Sequence, residues 1–242
     1  MTLLLLAGTG EAKIIAQALH DKGIKARASL AGVTRAPSPL AIPTDSGGFG
    51  GENGFKSYLQ THDIKSVLDA THPFADRISH RSERICREQN IPYCQLLRPA
   101  WMPEPGDDWI CLDREEEAAA HIPEGAIVFL ATGRQTLLRF ENLANCTLIC
   151  RQIDPPDGPF PFPNGRYCIG RPPFSFDDEV SLFKELGVEW LIVKNAGGTI
   201  PRTKLEAARH LGIRVIMLNR PAQPDAKRVT TVEEALAWVQ NL

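Results

Sequence analysis

The sequence lacks a strong excess of either charge. Its 27 lysines and arginines nearly balance its 29 aspartates and glutamates, which leaves a formal net charge of −2 over 242 residues. Proteins that bind nucleic acid or an anionic membrane through bulk electrostatics need a strongly basic surface. The charge balance therefore argues against nucleic acid and membranes as partners.

Cysteine pairs at metal-binding spacing and long hydrophobic runs are also lacking. None of the six cysteines forms a C-x-x-C pair, and histidine and cysteine do not cluster at the spacing of zinc ligands. The apolar run at residues 3–7 ends at Gly8, so it is too short for a signal peptide or a membrane span. We expect reduced structural cysteines, no bound metal and a cytoplasmic location.

The sequence does contain a regular alternation of strand-like and helix-like segments. Its 43% hydrophobic and 23% charged residues are ordinary for a soluble globular protein. Such alternation is typical of α/β proteins with parallel sheets. The predicted strands are 3–7, 25–30, 65–70, 93–98, 109–112, 126–131, 146–152, 190–194 and 214–218. The predicted helices are 11–21, 53–61, 75–89, 114–121, 134–141, 177–186, 203–211 and 231–240.

A change in composition divides the chain. Three prolines and a glycine fall between Arg98 and residue 106, which marks a linker. We therefore predict two Rossmann-like domains with mainly parallel sheets, residues 1–98 and 99–242, and a ligand cleft between them.

The segment Asp69–Ala75 is the most informative stretch of the chain. It follows an apolar run that indicates a buried strand, turns at Pro73 and leads into a helix. Thr71 and His72 should then lie on a loop at the carboxyl end of a parallel strand, where open α/β sheets bind ligands. The alternative is that Thr71 only caps the helix and His72 is a surface residue.

The opening strand leads into a second candidate ligand loop, Gly8-Thr9-Gly10-Glu11-Ala12. Its glycines let backbone N–H groups approach a phosphate, and the following helix terminus attracts negative charge. Lys13 occupies the third glycine position of the Rossmann fingerprint. A plain strand-to-helix turn therefore remains an alternative.

The loop after the second strand indicates which dinucleotide binds. An NAD site normally places an acid there, but Asp21 is the only acid within residues 12–44 and belongs to the preceding helix. Ser29, Thr34 and Arg35 instead suit a 2′-phosphate, which favours NADPH. The alternative is a solvated loop with a chance arginine.

A glycine-rich stretch, Gly47-Gly48-Phe49-Gly50-Gly51, follows. Four glycines permit close backbone approach to a ligand, and Phe49 is placed to stack on a flat ring. The alternative is a surface turn, which a central phenylalanine makes less typical.

Basic residues follow the strands of the second half. Because parallel strands end on one edge of a sheet, Arg134, Lys194 and Arg220 should share a rim, to which Arg151 and Arg171 add charge. Arginine binds carboxylates in a bidentate way, so a polyanionic small molecule suits this rim. The alternative is that these are solvated charges and helix caps.

Taken in order, these motifs resemble the precorrin-6A reductase family over nearly the whole chain. In the first half the resemblance rests on residues 8–12, 29–32, 47–51 and 69–75. In the second half it rests on residues 98–101, 132–135, 151, 154–156, 173–175, 194, 197–198 and 220–221. The departures are Ala7, Lys13, Val33, Pro172 and Ala196, none of which removes a group that the reaction requires.

The resemblance implies an NADPH-dependent reductase of cobalamin biosynthesis. Hydride from NADPH would reduce the C18=C19 double bond of precorrin-6A to give precorrin-6B. The acetate and propionate groups of this tetrapyrrole agree with the basic rim. Other cobalamin-pathway enzymes are possible partners.

Site residues are assigned to two groups on this basis. The cofactor is assigned Gly8, Thr9, Gly10, Glu11, Ala12, Ser29, Thr34, Arg35, Gly47, Gly48, Phe49, Gly50, Thr71, His72, Pro73 and Phe74. The tetrapyrrole is assigned Arg134, Gln135, Arg151, Lys194, Asn195, Gly198 and Arg220. His72 is a candidate proton donor, with an ordered water or the pyrrole system as alternatives.

Three other functions are alternatives. The related cobalt-precorrin-6A reductase acts in the anaerobic branch, but the glycine loops look more like the metal-free branch. A non-catalytic NADP-binding regulatory module would not need a rim for a polyanion. A short-chain dehydrogenase generally needs a Tyr-x-x-x-Lys pair, and the residues four positions after the tyrosines are His62, Leu97 and Arg171.

Overall fold

A computed structural model describes residues 2–32, 39–198 and 202–242. Thr34 and Arg35, which we predicted to bind the 2′-phosphate, lie outside these ranges. The chain divides into two units. The first comprises Met1–Pro99 and Pro221–Leu242, and the second comprises Ala100–Arg220.

The elements alternate along the chain as expected for an α/β protein. The strands are β1 (Thr2–Leu6), β2 (Ala26–Leu30), β3 (Thr44–Ser46), β4 (Ile64–Asp69), β5 (Tyr93–Leu96), β6 (Trp109–Leu112), β7 (Ile127–Ala131), β8 (Thr147–Gln152), β9 (Gly165–Ile169), β10 (Trp190–Lys194), β11 (Arg214–Leu218) and β12 (Lys227–Val229). The α-helices are α1 (Gly10–Asp21), α2 (Glu52–Thr61), α3 (Asp76–Glu88), α4 (Phe176–Leu186), α5 (Thr203–Leu211) and α6 (Val232–Gln240). Two 3₁₀ segments, Glu115–Ala120 and Arg134–Leu143, follow β6 and β7.

The sheet of the first unit has the Rossmann strand order. Its strands run β3-β2-β1-β4-β5-β12, and every pair is parallel. The order reverses direction between β1 and β4. In doubly wound sheets the carboxyl end of such a switch point is where ligands bind.

The sheet of the second unit repeats this plan. Its strands run β9-β8-β7-β10-β11-β6, all parallel, with the switch point between β7 and β10. The edge strand beside β11 is β6, which comes first in the sequence of this unit. The prediction of two Rossmann-like, mainly parallel sheets is confirmed.

Strand β1 explains the apolar start of the sequence. All five of its residues are buried. Leu3 and Leu5 pack into a cluster with residues of α1, whereas Leu4 and Leu6 pack into a second cluster with Phe55 of α2. Because successive strand side chains point to opposite faces, a sheet covered by helices on both faces needs a continuous apolar run.

The C-terminal segment differs from the prediction, which placed residues 221–242 in the second domain. In the structure β12 pairs with β5, and Val229, Ala235 and Val239 are buried in the core of the first unit. The segment therefore supplies the sixth strand of the first sheet. Strand β12 has three residues, two of them charged and exposed, so no hydrophobic pattern marks it.

Other differences concern short or irregular elements. Strands β3 and β9 were not predicted, because both lie at sheet edges and none of their residues is buried. Predicted helices 114–121 and 134–141 are 3₁₀ segments, and the second is interrupted at the buried Phe140. Within the described ranges, every helix is too short or too polar to span a membrane.

Candidate functional site

The first switch point brings together the two loops singled out in the sequence. Thr9 caps α1, and its hydroxyl accepts a hydrogen bond from the Ala12 N–H at 3.2 Å. The same hydroxyl donates to the carbonyl oxygen of Ala70, which follows β4, at 2.8 Å. Thr9 therefore fixes the start of the helix against the neighbouring loop.

The glycines of the opening loop leave room beside the amino terminus of α1. A Cβ atom added at Gly8 or Gly10 would meet no other heavy atom within 4 Å. The first N–H groups of a helix have no partners inside the helix and attract anions. Glu11 does not add free negative charge here, because its carboxylate pairs with Arg98 at 2.7 Å.

Asp69 organises the loop after β4. Its carboxylate is fully buried and accepts hydrogen bonds from the Thr71 N–H at 2.9 Å, the Thr71 hydroxyl at 2.7 Å and the Tyr93 hydroxyl at 2.6 Å. Burial, and then the Asp69 charge, raise the pKa of Tyr93 far above its ordinary value. Thr71 is not the helix cap, since α3 begins after Ala75.

His72, Pro73 and Phe74 form the tip of this loop. The Phe74 N–H donates to Nδ1 of His72 at 3.2 Å, so a neutral ring carries its proton on Nε2. Pro73 is buried, and its carbonyl oxygen accepts from the Gln223 side chain at 2.9 Å. Gln223 thereby ties the loop to the C-terminal segment, a contact between distant residues that no local sequence signal indicates.

The ends of β2 and β3 lie beside this switch point in the sheet order. Ser29 is buried and is paired in register with Asp45. The Asp45 carboxylate accepts from Tyr58 and from Arg27, and these bonds lower the pKa of Asp45. The acid nearest to Ser29 in the register is thus already committed to protein partners.

Phe49 packs inward from the glycine-rich loop. Its ring lies 4.8 Å from the Phe55 ring and 4.9 Å from the Tyr58 ring, and the Arg81 guanidinium lies 5.7 Å from its centroid. The backbone on both sides has positive φ at Gly47, Gly48, Gly50 and Gly51. The ring predicted to stack on the cofactor is therefore half-buried against α2, while the exposed glycine backbone surrounds it.

The second switch point is linked in a similar way. Lys194, the last residue of β10, donates from Nζ to the carbonyl oxygen of Thr132 after β7 at 3.0 Å. Arg220 follows β11 and donates from Nε to the carbonyl oxygen of Asn195 at 2.7 Å. Burial lowers the pKa of Lys194. Two of the predicted rim cations thus lie at the carboxyl edge of adjacent strands.

Asn195 and Gly198 hold Trp101 in place. The Asn195 amide accepts from the Trp101 N–H at 2.8 Å and donates to the Trp101 carbonyl at 3.0 Å. The carbonyl of Gly198 accepts from the Trp101 indole N–H at 2.6 Å. These two residues, predicted to contact the substrate, therefore fix the start of the second unit.

The remaining rim residues have different surroundings. Arg134 and Gln135 are exposed at the start of the 3₁₀ segment, and Arg134 lies 3.7 Å from Asp157. Arg171 lies 3.6 Å from Asp154. Both acids belong to the proline-rich loop between β8 and β9.

Arg151 is buried rather than presented at the rim. Its guanidinium makes a bidentate pair with Glu179 at 2.7 and 2.6 Å and lies 4.7 and 4.3 Å from the Phe129 and Phe174 rings. Lys204, which no sequence motif marks, interacts electrostatically with Glu179 and Arg151, and burial lowers its pKa to about 8. Arg151 therefore belongs to a buried ion cluster.

Comparison with known proteins gives a consistent result. The family described as precorrin-6x reductase CbiJ/CobK matches residues 2–240. A precorrin-6A reductase of Rhodococcus erythropolis is 40% identical, covering 99% of this chain and 98% of its own. One of Rhodobacter capsulatus is 38% identical, covering 99% and 96%.

A solved structure described as CobK precorrin-6A reductase superposes with a TM-score of 0.96 at 38% identity, covering 100% of this chain and 96% of its own. More distant relatives include a cobalt-precorrin-6A reductase of Priestia megaterium, 27% identical over 99% of this chain and 98% of its own. The match extends over both units and both switch points. The chain belongs to the precorrin-6x reductase family.

Proposed function

We propose that this protein is an NADPH-dependent precorrin-6A reductase of cobalamin biosynthesis. It reduces the C18=C19 double bond of the macrocycle and yields precorrin-6B. The observation that carries the proposal is the family match over residues 2–240 on two complete Rossmann-like sheets. The protein is proposed to act in the cytoplasm, whose reducing conditions suit its six free cysteines.

The first unit is proposed to hold NADPH. Gly8, Thr9 and Gly10 fit the pyrophosphate, because the glycines leave open space beside the amino terminus of α1. The ribose side is assigned to Ser29, Thr34 and Arg35. The commitment of Asp45 to Arg27 and Tyr58 supports NADPH over NADH, since a free acid there would repel a 2′-phosphate.

The reduced nicotinamide supplies the hydride when it is bound. The protein positions its ligands with loops that Asp69 and Thr9 fix through hydrogen bonds. His72 remains the proposed proton donor. Its Nδ1 is occupied by the Phe74 N–H, so any transfer would use Nε2.

The second unit is proposed to hold the tetrapyrrole. Lys194, Arg220 and Arg134 are the cations at its carboxyl edge, and Gln135 adds an exposed amide. Asn195 and Gly198 act through Trp101. Arg151 acts through its pair with Glu179 and so through the fold.

The substrate is proposed to be metal-free. Relatives named precorrin-6A reductase are 36–40% identical to this chain, whereas those named cobalt-precorrin-6A reductase are 25–29% identical. This difference favours the metal-free substrate, with the cobalt form as the second candidate.

A steady-state assay tests both proposals. The purified protein receives metal-free precorrin-6A or its cobalt form, with NADPH or NADH, and nicotinamide oxidation is followed together with the tetrapyrrole spectrum. We expect turnover of the metal-free substrate and a roughly ten- to hundredfold preference in kcat/KM for NADPH, the value of one charge-assisted hydrogen bond. Equal kcat/KM for NADPH and NADH would contradict the cofactor assignment, and turnover of the cobalt form alone would contradict the substrate assignment.

A further inference from the structure

Buried polar side chains without hydrogen-bond partners gather at the carboxyl edge of the second sheet. Thr132 is 7% exposed and Gln152 is 6% exposed. Among the described residues, neither the Thr132 hydroxyl nor either polar atom of the Gln152 amide has a partner, and the Thr136 hydroxyl also lacks one. Native proteins keep few such groups, because burying an unsatisfied polar atom destabilises the fold.

The strand register places these residues at one level of the sheet. Leu130 of β7 pairs with Cys150 of β8, so two residues further on Thr132 is level with Gln152. Ala131 pairs with Val193 of β10, which makes Lys194 level with Thr132. Lys194 donates to the main-chain carbonyl of Thr132 rather than to its hydroxyl.

Thr136 follows Thr132 by four positions in the chain. Thr136 lies in the segment Arg134–Leu143, which begins shortly after β7 and packs against β8.

A buried glutamine of the first sheet shows, by contrast, an amide whose polar atoms all have partners. Both polar atoms of Gln95 on β5 are engaged, the nitrogen by Gln223 at 2.9 Å and the oxygen by Arg228 at 3.4 Å.

We propose that Thr132, Thr136, Gln152 and Lys194 form a subsite that receives one side-chain carboxylate of the tetrapyrrole. Two hydroxyls, an amide nitrogen and an ammonium group are all donors, which suits the two acceptor oxygens of a carboxylate. The ammonium group argues against a metal cation at this place. This inference rests on the proposed function and adds to it the polar residues beneath the basic rim.

Substitutions that remove single polar groups test the subsite. Thr132→Val and Gln152→Leu keep the approximate volume, Thr132→Ser restores the hydroxyl, and Thr2→Val is the matched control. Thr2 is also buried with an unpartnered hydroxyl, but it begins β1 in the first unit. Precorrin-6A KM, NADPH affinity by calorimetry and the melting temperature are measured for each variant.

We expect Thr132→Val and Gln152→Leu to raise the precorrin-6A KM roughly tenfold or more, as the loss of a hydrogen bond to a charged group predicts. NADPH affinity should be unchanged, the melting temperature equal or higher, and Thr132→Ser close to the parent. Thr2→Val should leave KM unchanged. A lower melting temperature with an unchanged KM would overturn the proposal, because the groups would then serve the fold. Weakened NADPH binding with an unchanged KM would also overturn it.

The variants Arg134→Ala and Arg220→Ala distinguish a failure of the subsite from a failure of the proposed reductase function. If these two variants raise the precorrin-6A KM while Thr132→Val and Gln152→Leu do not, the subsite is refuted and the proposed function stands. If the parent protein does not turn over precorrin-6A, the proposed function fails, and the subsite fails with it.

Discussion

At the scale of single residues, the buried Asp69 carboxylate holds the loop after β4. Asp69 binds two groups of Thr71 and the Tyr93 hydroxyl, and it lies at the end of β4. An aspartate that ends a strand and bonds the backbone N–H two residues on forms a local turn. The Asp-x-Thr spacing in the sequence indicates this turn, in which the Asp69 carboxylate holds the loop in place.

Arg151 shows that charge alone does not identify a ligand-binding residue. Arg151→Met should lower the free energy of unfolding by about 3–5 kcal/mol, because it leaves the Glu179 carboxylate buried without its partner. The double variant Arg151→Met with Glu179→Leu should recover most of this loss. Chemical denaturation measures both. A stable single variant with a strongly raised precorrin-6A KM would instead restore Arg151 to the substrate site.

His72→Asn tests the proton donor while keeping the loop. The asparagine oxygen can replace Nδ1 as the acceptor for the Phe74 N–H, but it cannot donate a proton as an acid. If His72 is the donor, kcat should fall roughly 100-fold or more, while NADPH affinity changes far less because the loop keeps the bond from the Phe74 N–H. Single-turnover kinetics and calorimetry give the two values. A kcat close to that of the parent would assign His72 to positioning alone.

At the scale of the elements, helix α2 and the glycine-rich loop depend on Gly54. A Cβ atom at Gly54 would lie 1.6 Å from the Phe49 carbonyl oxygen, so Gly54→Ala must displace the loop. We expect a lower melting temperature and weaker NADPH binding. Gly158→Ala is the control, because its Cβ would meet no other heavy atom within 4 Å and its φ is not in the left-handed region. Unchanged NADPH affinity in Gly54→Ala would separate this loop from the cofactor site.

The elements that the sequence predicted are those with a strong internal pattern. Strands β1 and β10 are apolar runs, and α1 begins at a capping threonine after a glycine loop. Strand β12 was missed because its pairing with β5 joins residues far apart in the chain.

In the candidate site, too, the sequence predicts what local interactions determine and misses what contacts between distant residues determine. The loop positions follow from local motifs, since glycines, prolines and capping residues act on their neighbours. The pair between Arg151 and Glu179 and the packing of Phe49 against Tyr58 depend on tertiary contacts. A sequence pattern therefore gives the edge of the sheet on which a residue lies, but not the partner that its side chain meets.

At the scale of the whole molecule, the free energy of unfolding should depend on pH through Lys204. Burial lowers its pKa from 10.5 to about 8, with attraction to Glu179 acting in the opposite direction. Between about pH 8 and 10.5 Lys204 is protonated in the unfolded chain but has lost its proton in the folded protein. The contribution of Lys204 to the free energy of unfolding therefore rises with pH across this range. Below about 8 both states are charged, and the cost of burying the charge is fully present.

Lys204→Met removes this cost. The variant should be more stable than the parent near pH 7, and its advantage should shrink as the pH rises from about 8 toward 10.5. Denaturant titrations of both proteins across this pH range give the difference between their free energies of unfolding. The contributions of the other titrating groups cancel in this difference. A difference independent of pH would show that Lys204 keeps its ordinary pKa.

Two parallel sheets that share the order of five strands give the molecule two switch points, and the central claim is that each switch point serves one ligand. The most direct test is to titrate NADPH and the tetrapyrrole separately into Gly10→Val and Arg220→Ala by calorimetry. A Cβ at residue 10 would meet no heavy atom within 4 Å outside its own turn of α1, so Gly10→Val should fold and lose NADPH binding while it keeps tetrapyrrole binding. Arg220→Ala should show the reverse. Loss of tetrapyrrole binding in Gly10→Val together with loss of NADPH binding in Arg220→Ala would contradict the claim.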